Sequence, residues 1–164
     1  MTASTVFESP LGMVCITGTE IGVSSISCTR SSTSETPPEG ALPDSVTEAV
    51  AQLRDYFAGI RQTFDFALNP AGTDFQKRVW QALLDVPFGT TLSYLALARR
   101  LCDEKAIRAV AAANGKNPLW IVVPCHRIIG SDGSLTGYAG GLWRKQWLLE
   151  HEGAFARSRQ LTLF

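Results

Sequence analysis

Short alternating segments occupy the N-terminal part of the chain. STVFES, MVCITG and IGVSSIS are rich in β-branched residues, and the turn-forming stretches SPLG and TEIG separate them. Alternation of apolar and polar residues with a period of two is typical of strands that bury one face. The pattern therefore predicts a small antiparallel sheet.

The next segment, RSSTSETPPEGALP, is polar and proline-rich, and we expect it to form a surface loop. After it, apolar residues recur at the spacing of a helix. The apolar positions of the predicted helix are Val46, Val50, Leu53 and Phe57. Ser45 and Glu48 fit the S-x-x-E pattern of a capping box, and Gly59 is expected to end the helix. TFDFAL, residues 63–68, alternates and predicts a further strand, and NPAG, residues 69–72, predicts a linker.

The later part of the chain is dominated by helical patterns. Thr73 and Gln76 form a second candidate capping box, followed by an apolar stripe that ends at Pro87. The stripe consists of Phe75, Val79, Leu83 and Val86. Ser93 and Asp103 are expected to cap two short helices, YLALARRL and EKAIRAVAAAN. Two short helices in succession predict either a helix-turn-helix or a simple packed pair.

Extended and turn patterns surround Cys125. LWIVVP, residues 119–124, predicts a strand that leads into this cysteine, and Asp132-Gly133 predicts a hairpin turn. LWRKQWLLEHEG predicts a final helix that ends at Gly153.

The composition changes near residue 70 and divides the chain into two predicted domains. Residues 1–69 are expected to form a small antiparallel-sheet domain and residues 70–164 a mostly helical one, so the predicted fold class is α+β. The first range carries three basic and eight acidic residues, and the second carries twelve basic and seven acidic ones. The resulting balance of −5 against +5 indicates an anionic partner for the second domain, with a mixed solvated surface as the alternative.

Overall composition narrows the class of protein further. With 45% hydrophobic and 18% charged residues, the chain of 164 residues is similar in composition to ordinary globular proteins. It has no apolar run near the roughly 20 residues of a membrane span, and no N-terminal signal segment. The four cysteines lack C-x-x-C spacing and the histidines are His126 and His151, so we expect a cytoplasmic protein with reduced thiols and no metal site.

The stretch IVVPCHRIIG contains the main candidate for chemistry. A cysteine that only packs needs no polar neighbour, whereas a reactive thiol needs a base or a positive field to form thiolate. On a strand, Cys125 and His126 point to opposite faces, so Pro124 is expected to introduce a turn that brings them together. A third group must orient the base, and the spacing leaves both Glu150 and Glu152 open. A protease-like thiol hydrolase is one class that such a set of residues permits.

Small residues are concentrated in two further segments of the sequence. The helix predicted after Asp103 carries Arg108 among alanines, namely Ala106, Ala109, Ala111, Ala112 and Ala113. This composition suits close helix packing, or insertion into the DNA minor groove, which is about 6 Å wide. Glycines also surround Tyr138, in a segment that either approaches a partner closely or forms a surface loop.

The chain resembles the O6-alkylguanine-DNA alkyltransferases over nearly its whole length. The resemblance rests on PCHR with its flanking aliphatic residues, the preceding RAV and NP, the following GYAGG and LLEHEG, and on SPLG, GTDFQKRVW and VPFGTTLSY. It implies a ribonuclease H-like first domain and a winged-helix-like second domain with a helix-turn-helix. It also implies irreversible, stoichiometric transfer of an alkyl group from O6-alkylguanine in duplex DNA to Cys125, after minor-groove binding and nucleotide flipping. O4-alkylthymine is a further candidate substrate.

The resemblance implies roles for the residues around the thiol. Cys125 is the acceptor, His126 is the base that activates it through a water, and Glu152, rather than Glu150, orients the histidine. Asn117 hydrogen-bonds near the thiol. No cofactor is implied, the partner is double-stranded DNA, and we expect a monomer, with cooperative assembly on DNA left open.

Other matching positions concern the substrate. Tyr94 corresponds to the residue that donates a proton to N3 of the leaving guanine and contacts DNA. Arg108 corresponds to the residue that fills the gap left by the flipped nucleotide, with Ala109 beside it at the DNA. The guanine pocket then consists of Ile128, whose carbonyl accepts from the guanine amino group, and of Tyr138, Ala139 and Lys145.

Two departures from the family pattern change what we expect. Some relatives place serine at the position of Ala139, where a hydroxyl can contact O6 of the guanine. Some bind zinc in the first domain through two cysteines and two histidines, whereas this domain has Cys15 and Cys28 but no histidine, so we expect no metal. Relatives with tryptophan in place of the reactive cysteine bind alkylated DNA without repair, an alternative that Cys125 disfavours.

Overall fold

The computed structural model describes residues 2–30, 41–101 and 104–154. Most of the predicted loop RSSTSETPPEGALP and the predicted cap Asp103 lie outside these ranges. Among the described residues, none of the helices has the length and hydropathy of a membrane span.

The chain divides into two compact units. Their ranges are Met1–Ala71 with Pro118–Val122, and Gly72–Asn117 with Val123–Phe164. A short segment from late in the chain therefore packs with the first unit, although the residues on either side of it belong to the second.

An antiparallel sheet forms the base of the first unit. Its three strands are β1 (Ala3–Ser9), β2 (Gly12–Gly18) and β3 (Val23–Thr29), paired in that order. Helix α1 (Asp44–Phe57) packs against β1 and β2. Apolar residues of sheet and helix are buried together, among them Val14, Ile16, Ile26, Val46, Leu53 and Tyr56. The prediction of a small antiparallel-sheet domain is confirmed.

The predicted capping box at the start of α1 is wrong. The helix begins at Asp44 after Pro43, and no side chain caps it. Ser45 already lies inside the first turn, where its hydroxyl donates to the Thr19 carbonyl at 2.8 Å. The Ser45 hydroxyl, which the local sequence pattern predicted to cap the helix, therefore forms a tertiary hydrogen bond instead. At the other end the prediction is confirmed, because Gly59 follows the helix with a φ of 82°.

Residues 63–68 do not form the predicted strand. Their pairing with β3 is limited to a bridge between Leu68 and Val23. The backbone N–H of Asp65 donates to Oε1 of Gln52 at 3.1 Å, and Nε2 of Gln52 donates to the Asp65 carboxylate. The Gln52 side chain of α1 is thus bonded to a backbone N–H that would otherwise be available to a neighbouring strand. This segment therefore remains irregular.

Helices dominate the second unit, as the sequence predicted. They are α2 (Asp74–Leu83), α3 (Tyr94–Arg100), α4 (Ile107–Gly115) and α5 (Leu142–His151). A short parallel pair joins β4 (Leu92–Ser93) to β5 (Ile128–Ile129). Helices α2, α3 and α4 pack together, and the indole N–H of Trp80 in α2 donates to the Ala113 carbonyl in α4 at 2.9 Å.

Two predicted helix starts in this unit are confirmed. The Thr73 hydroxyl accepts from the Gln76 N–H at 3.1 Å, and the Gln76 side chain accepts from the Thr73 N–H at 3.0 Å. The Ser93 hydroxyl accepts from the Ala96 N–H at 3.0 Å and begins α3. Helix α4 begins later than predicted, since the 3₁₀ turn Glu104–Ala106 precedes it.

The strand predicted at residues 119–124 is wrong. After a single bridge from its first residue to Ile26 of β3, the chain turns tightly. The backbone N–H groups of Val122 and Cys125 each donate to the carbonyl two residues earlier, at 2.9 and 2.8 Å. Ile121 has a φ of 75°, a left-handed conformation that β-branched residues rarely adopt. Because these two N–H groups are bonded within the segment, they cannot donate to a neighbouring strand. The apolar segment therefore forms a turn.

The Asp132-Gly133 pair forms the predicted turn, across which the Gly130 N–H donates to the Ser134 carbonyl at 2.9 Å, but no strand follows it in the described segment 104–154. Gly133 has a φ of 85°, and its N–H donates to the Gly130 carbonyl at 2.9 Å. The strand before the turn, β5, pairs in parallel with β4 instead of with a strand that follows the turn. The turn chemistry was therefore predicted correctly and its tertiary context was not.

Removal of the reciprocal cap on α2 tests the local origin of this helix. Thr73→Ala is expected to lower the free energy of unfolding by about 1 kcal/mol, because the Gln76 N–H loses its partner. Urea denaturation measures the change, with Thr73→Ser as the control that keeps the hydroxyl. Equal stability of the alanine and serine variants would contradict the capping role.

Candidate active site

Cys125 begins a 3₁₀ turn, Cys125–Arg127, that follows directly on Pro124. All of its side chains are buried, with Cys125 6% exposed and His126 fully buried. The expected break from an extended strand is therefore present, and its backbone turns sharply where the cysteine and histidine lie. The same turn places Arg127 beside them.

A buried carboxylate lies between the two basic residues of this turn. Oε2 of Glu152 is 2.8 Å from Nε2 of His126, and Oε1 of Glu152 accepts from Nε of Arg127 at 2.7 Å. A second guanidinium nitrogen of Arg127 donates to Oε2 at 3.0 Å. Glu150 instead accepts a hydrogen bond from Gln146 at 3.3 Å. Between the two glutamates that spacing left open, the structure places Glu152 against the histidine.

Arg127 is a site residue to which the sequence reasoning gave no role. Besides its two bonds to Glu152, it donates to the Val86 carbonyl at 2.6 Å, just beyond α2. Its guanidinium also lies 5.8 Å from the ring centroid of Phe88. A planar fork that satisfies a carboxylate and a carbonyl together is a geometry specific to arginine. Its position directly after the reactive pair was the available signal.

Electrostatics define the protonation states of His126 and Glu152. Burial disfavours the Glu152 carboxylate, but the hydrogen bonds from His126 and Arg127 and the charge of Arg127 outweigh it and hold its pKa well below the usual range. Burial lowers the pKa of His126, only partly opposed by Glu152. A neutral imidazole then donates its Nε2–H to the carboxylate and leaves Nδ1 as the acceptor. Nδ1 is buried and has no hydrogen-bond partner among the described residues.

The Cys125 thiol is protonated at neutral pH in the free protein. Burial raises its pKa to about 11, although a hydrogen bond from Asn117 and the charge of Lys145 act in the opposite direction. Asn117 is itself buried, and its side-chain amide donates to the Val123 carbonyl at 2.8 Å. The amide and the ammonium are therefore both positioned to stabilise negative charge on the sulfur.

Lys145 is a fully buried cation on α5. Its Nζ donates to the Ile128 carbonyl at 2.5 Å and to the Thr136 carbonyl at 2.8 Å. Burial lowers its pKa to about 8, so it retains its charge at neutral pH. Its Nζ also lies 5.8 Å from the ring centroid of Tyr94.

A cavity of about 610 Å³ is lined by four of the residues expected to meet the substrate, Tyr94, Arg108, Tyr138 and Ala139, but not by Cys125, Ile128 or Lys145. Its walls come from α3, α4 and the segment after residue 135, and are formed by Tyr94, Ile107, Arg108, Ala111, Gly115, Thr136, Gly137, Tyr138 and Ala139. The Tyr94 hydroxyl donates to the Thr136 carbonyl at 3.0 Å, and its pKa is raised chiefly by burial. Ala109 is exposed on α4 and does not line the cavity.

The described residues contain no cluster of three or more histidine, cysteine, aspartate or glutamate side chains that could hold a metal ion. The groups that the site brings together are a thiol, an imidazole, a carboxylate and their hydrogen-bond donors. Such a set can deliver a sulfur nucleophile and move protons.

The raised pKa of Cys125 predicts a steep pH dependence for its reaction with a small electrophile. Because thiolate is the reactive form and the pKa lies at about 11, alkylation by iodoacetamide should be slow at pH 7 and rise about tenfold per pH unit above it. Peptide mass spectrometry resolves Cys125 from the other cysteines, with circular dichroism as the check that the fold persists. A rate that levels off below pH 8 would show that the thiol is already ionised there.

Comparison with known proteins covers both units. Residues 3–70 match the family model for the 6-O-methylguanine DNA methyltransferase, ribonuclease-like domain, and residues 74–154 match that for the 6-O-methylguanine DNA methyltransferase, DNA binding domain. A methylated-DNA-protein-cysteine methyltransferase of Methanosarcina acetivorans is 43% identical over 151 residues, covering 91% of this chain and 97% of that protein. The protein of the same name from Mycobacterium tuberculosis is 46% identical over 162 residues, covering 96% and 95%.

A solved structure is similar in fold as well. The crystal structure of Mycobacterium tuberculosis OGT in complex with DNA matches with a TM-score of 0.82 and 44% identity, over 93% of each chain. The two family matches, the identities and this fold agree with one another, and the chain belongs to the O6-methylguanine DNA methyltransferase family.

Proposed function

We propose that this chain repairs DNA by direct reversal, moving the alkyl group from O6 of an alkylated guanine in duplex DNA to Cys125. The observation that carries the proposal is a buried thiol that shares a 3₁₀ turn with a neutral imidazole, whose partner carboxylate is held by Arg127. The relatives are named for transfer to a protein cysteine, and one of the similar structures holds DNA. O4-alkylthymine is a second candidate substrate.

The reaction is a displacement at the alkyl carbon. Sulfur of Cys125 forms a bond to that carbon while the bond from carbon to guanine O6 breaks. The thiol proton passes to Nδ1 of His126, directly or through a water, and Glu152 stabilises the imidazolium that forms. The product is a thioether, which does not hydrolyse readily, so each molecule acts once. No step requires a cofactor.

The leaving guanine must also gain a proton. Two observations support a role for Tyr94: it lines the cavity, and its pKa is influenced by the charge of Cys125. We assign it the donation of a proton to N3 as the bond to O6 breaks. Asn117 and Lys145 stabilise the thiolate in the same step.

Recognition of the base is assigned to the cavity and to two backbone carbonyls that are not part of its lining. The Ile128 carbonyl, already bonded to Lys145, and the Cys125 carbonyl are acceptors for the guanine amino group. Tyr138 and Ala139 form a lid over the base, and Ala139 offers a backbone N–H toward O6 where some relatives offer a hydroxyl.

DNA binding is assigned to α3 and α4, which we interpret as a helix-turn-helix in a winged-helix-like domain. Arg108 is an exposed residue that also lines the cavity, and Ala109 is exposed beside it. A flipped nucleotide leaves a gap in the stack that a long cation on a slim helix can fill.

The remaining parts of the proposal concern the whole chain. We retain residues 1–69 and 70–164 as its two domains and a monomer as its state, with cooperative assembly on DNA as the alternative. The reduced thiol that the proposed chemistry requires at Cys125 fits a cytoplasmic location, where thiols stay reduced.

Mass spectrometry tests the proposed transfer. After incubation with duplex DNA that carries one O6-methylguanine, the peptide with Cys125 is expected to gain a single methyl group, with one guanine restored for each protein molecule modified. Cys125→Ser is the control and should bind the same DNA without restoring it. Binding of the lesion with unmodified Cys125 would indicate a lesion-binding module, and repeated turnover of esters or peptides without DNA would indicate a thiol hydrolase.

Arg108 offers a test of nucleotide flipping. Arg108→Ala should slow repair of duplex DNA on the order of tenfold to a hundredfold, because extrusion costs a few kcal/mol that the arginine offsets. Reaction with the free O6-methylguanine base should be unchanged. Lys116→Ala removes the same charge from an exposed position at the other end of α4 and serves as the matched control. Equal losses on duplex and free base would remove the flipping role.

A further inference from the structure

Arg127 and His126 bond to the same carboxylate oxygen. Oε2 of Glu152 lies 2.8 Å from Nε2 of His126 and accepts from a guanidinium nitrogen of Arg127 at 3.0 Å. The other oxygen, Oε1, accepts from Nε of Arg127 at 2.7 Å. The carboxylate is therefore shared between a group that is always charged and a group that is either charged or neutral.

The guanidinium is also held on the side away from Glu152. Its remaining nitrogen donates to the Val86 carbonyl at 2.6 Å, and its centre lies 5.8 Å from the ring centroid of Phe88. Since Arg127 is buried and its planar fork is bonded on two sides, turning away from Glu152 would break all of these hydrogen bonds. The sharing of the carboxylate is thus a fixed feature of the folded protein.

Positive charge is in excess around the imidazole of His126. The charged groups that face it are Glu152, Arg127 of its own turn, and Lys145 of α5. Asp85, beside Val86 in the segment after α2, is exposed to solvent, which screens its charge. One carboxylate therefore faces two cations before His126 gains any charge. A buried imidazolium would be a third cation without an anion of its own, which is unfavourable.

Removal of Arg127 would reverse this balance. Glu152 would lose two hydrogen bonds from a permanent cation, and a protonated His126, already at 2.8 Å, would replace the missing positive charge. An imidazolium carries a proton on both ring nitrogens, so it has no acceptor for the proton of the thiol. A carboxylate that belonged to His126 alone would therefore stabilise the form of the residue that cannot act as a base.

We propose that Arg127 is a positioning residue that keeps His126 in its neutral, proton-accepting form by sharing the Glu152 carboxylate. The inference deepens the proposed function of His126 as the base and rests on it. Burial is the main cause that lowers the pKa of His126, and the charge of Arg127 acts in the same direction. Glu152 still orients the ring through Nε2, which leaves Nδ1 to receive the proton.

NMR titration of the free protein tests the inference without DNA. The chain has two histidines, and in ¹⁵N-histidine-labelled protein His126 should be neutral at pH 7 with its proton on Nε2. Arg127→Gln removes the charge and keeps an amide donor, and it is expected to raise the pKa of His126 by about one pH unit or more. Arg127→Lys keeps the charge and loses the fork, so it should leave His126 neutral at pH 7.

The pH dependence of transfer separates this role from a structural one. With saturating duplex DNA that carries one O6-methylguanine, Arg127→Gln should be about tenfold slower than the unsubstituted protein at pH 6.5. At pH 9 the imidazole is neutral in both proteins, so the two rates should approach each other. Arg127→Lys is the control and should differ from the unsubstituted protein by the same factor at both pH values. Circular dichroism at each pH shows whether the compared proteins are folded.

The outcomes distinguish this inference from the proposed function. An unchanged pKa of His126 in Arg127→Gln, or a loss of rate that is the same at both pH values, would overturn the role of Arg127 while repair itself stands. If Arg127→Gln does not fold, the titration of the unsubstituted protein decides, because a His126 that is protonated at pH 7 contradicts the inference. An unmodified Cys125 after incubation with the lesion would overturn the proposed function and leave the titration as it is.

Discussion

One buried carboxylate organises the second unit. Glu152 follows α5, while its partners lie in the 3₁₀ turn of Cys125–Arg127, and Arg127 in turn holds the carbonyl of Val86 beyond α2. A charged side chain that is buried away from water is stable only when it is paired with an opposite charge and hydrogen-bonded. Three segments must therefore come together in the folded unit: the end of α5, the turn that bears the thiol, and the segment after α2. If one of them were displaced, the carboxylate or the guanidinium would be buried without a partner.

In the free protein, the charged groups of the site surround a thiol and an imidazole that are themselves uncharged. In the free protein the thiol is protonated and the imidazole is neutral, because burial disfavours ionisation of both. The fixed charges are those of Glu152, Arg127 and Lys145, and each is tied to hydrogen-bond partners. The proposed transfer develops charge on the sulfur and the imidazole, where hydrogen-bond donors and an acceptor are already in place. This preorganisation means that little has to move when the lesion arrives.

Sequence reasoning succeeded where the cause of structure is local. Thr73 and Ser93 cap the helices that follow them, because capping depends on residues three positions apart. It failed at Ser45 and at residues 63–68 and 119–124, where distant side chains or tight turns take the hydrogen-bonding groups. The PCHR stretch predicted Cys125 and His126 as the candidates for chemistry, but spacing could not choose between Glu150 and Glu152. That choice depends on where α5 ends relative to the turn, which is a tertiary property.

The five residues Pro118–Val122 limit how this protein can be cut into fragments. They belong to the first unit, where the Ile26 N–H donates to the Pro118 carbonyl at 2.8 Å and the Trp120 N–H donates to the Ile26 carbonyl at 3.1 Å. The residues that flank them in sequence lead to Asn117 on one side and Cys125 on the other. A recombinant fragment that starts at the linker keeps every residue of the site but loses the strand that anchors the connection between those two. Without β3, the backbone groups of Pro118 and Trp120 lose their hydrogen-bond partners, and the connection gains the conformational freedom of a loop.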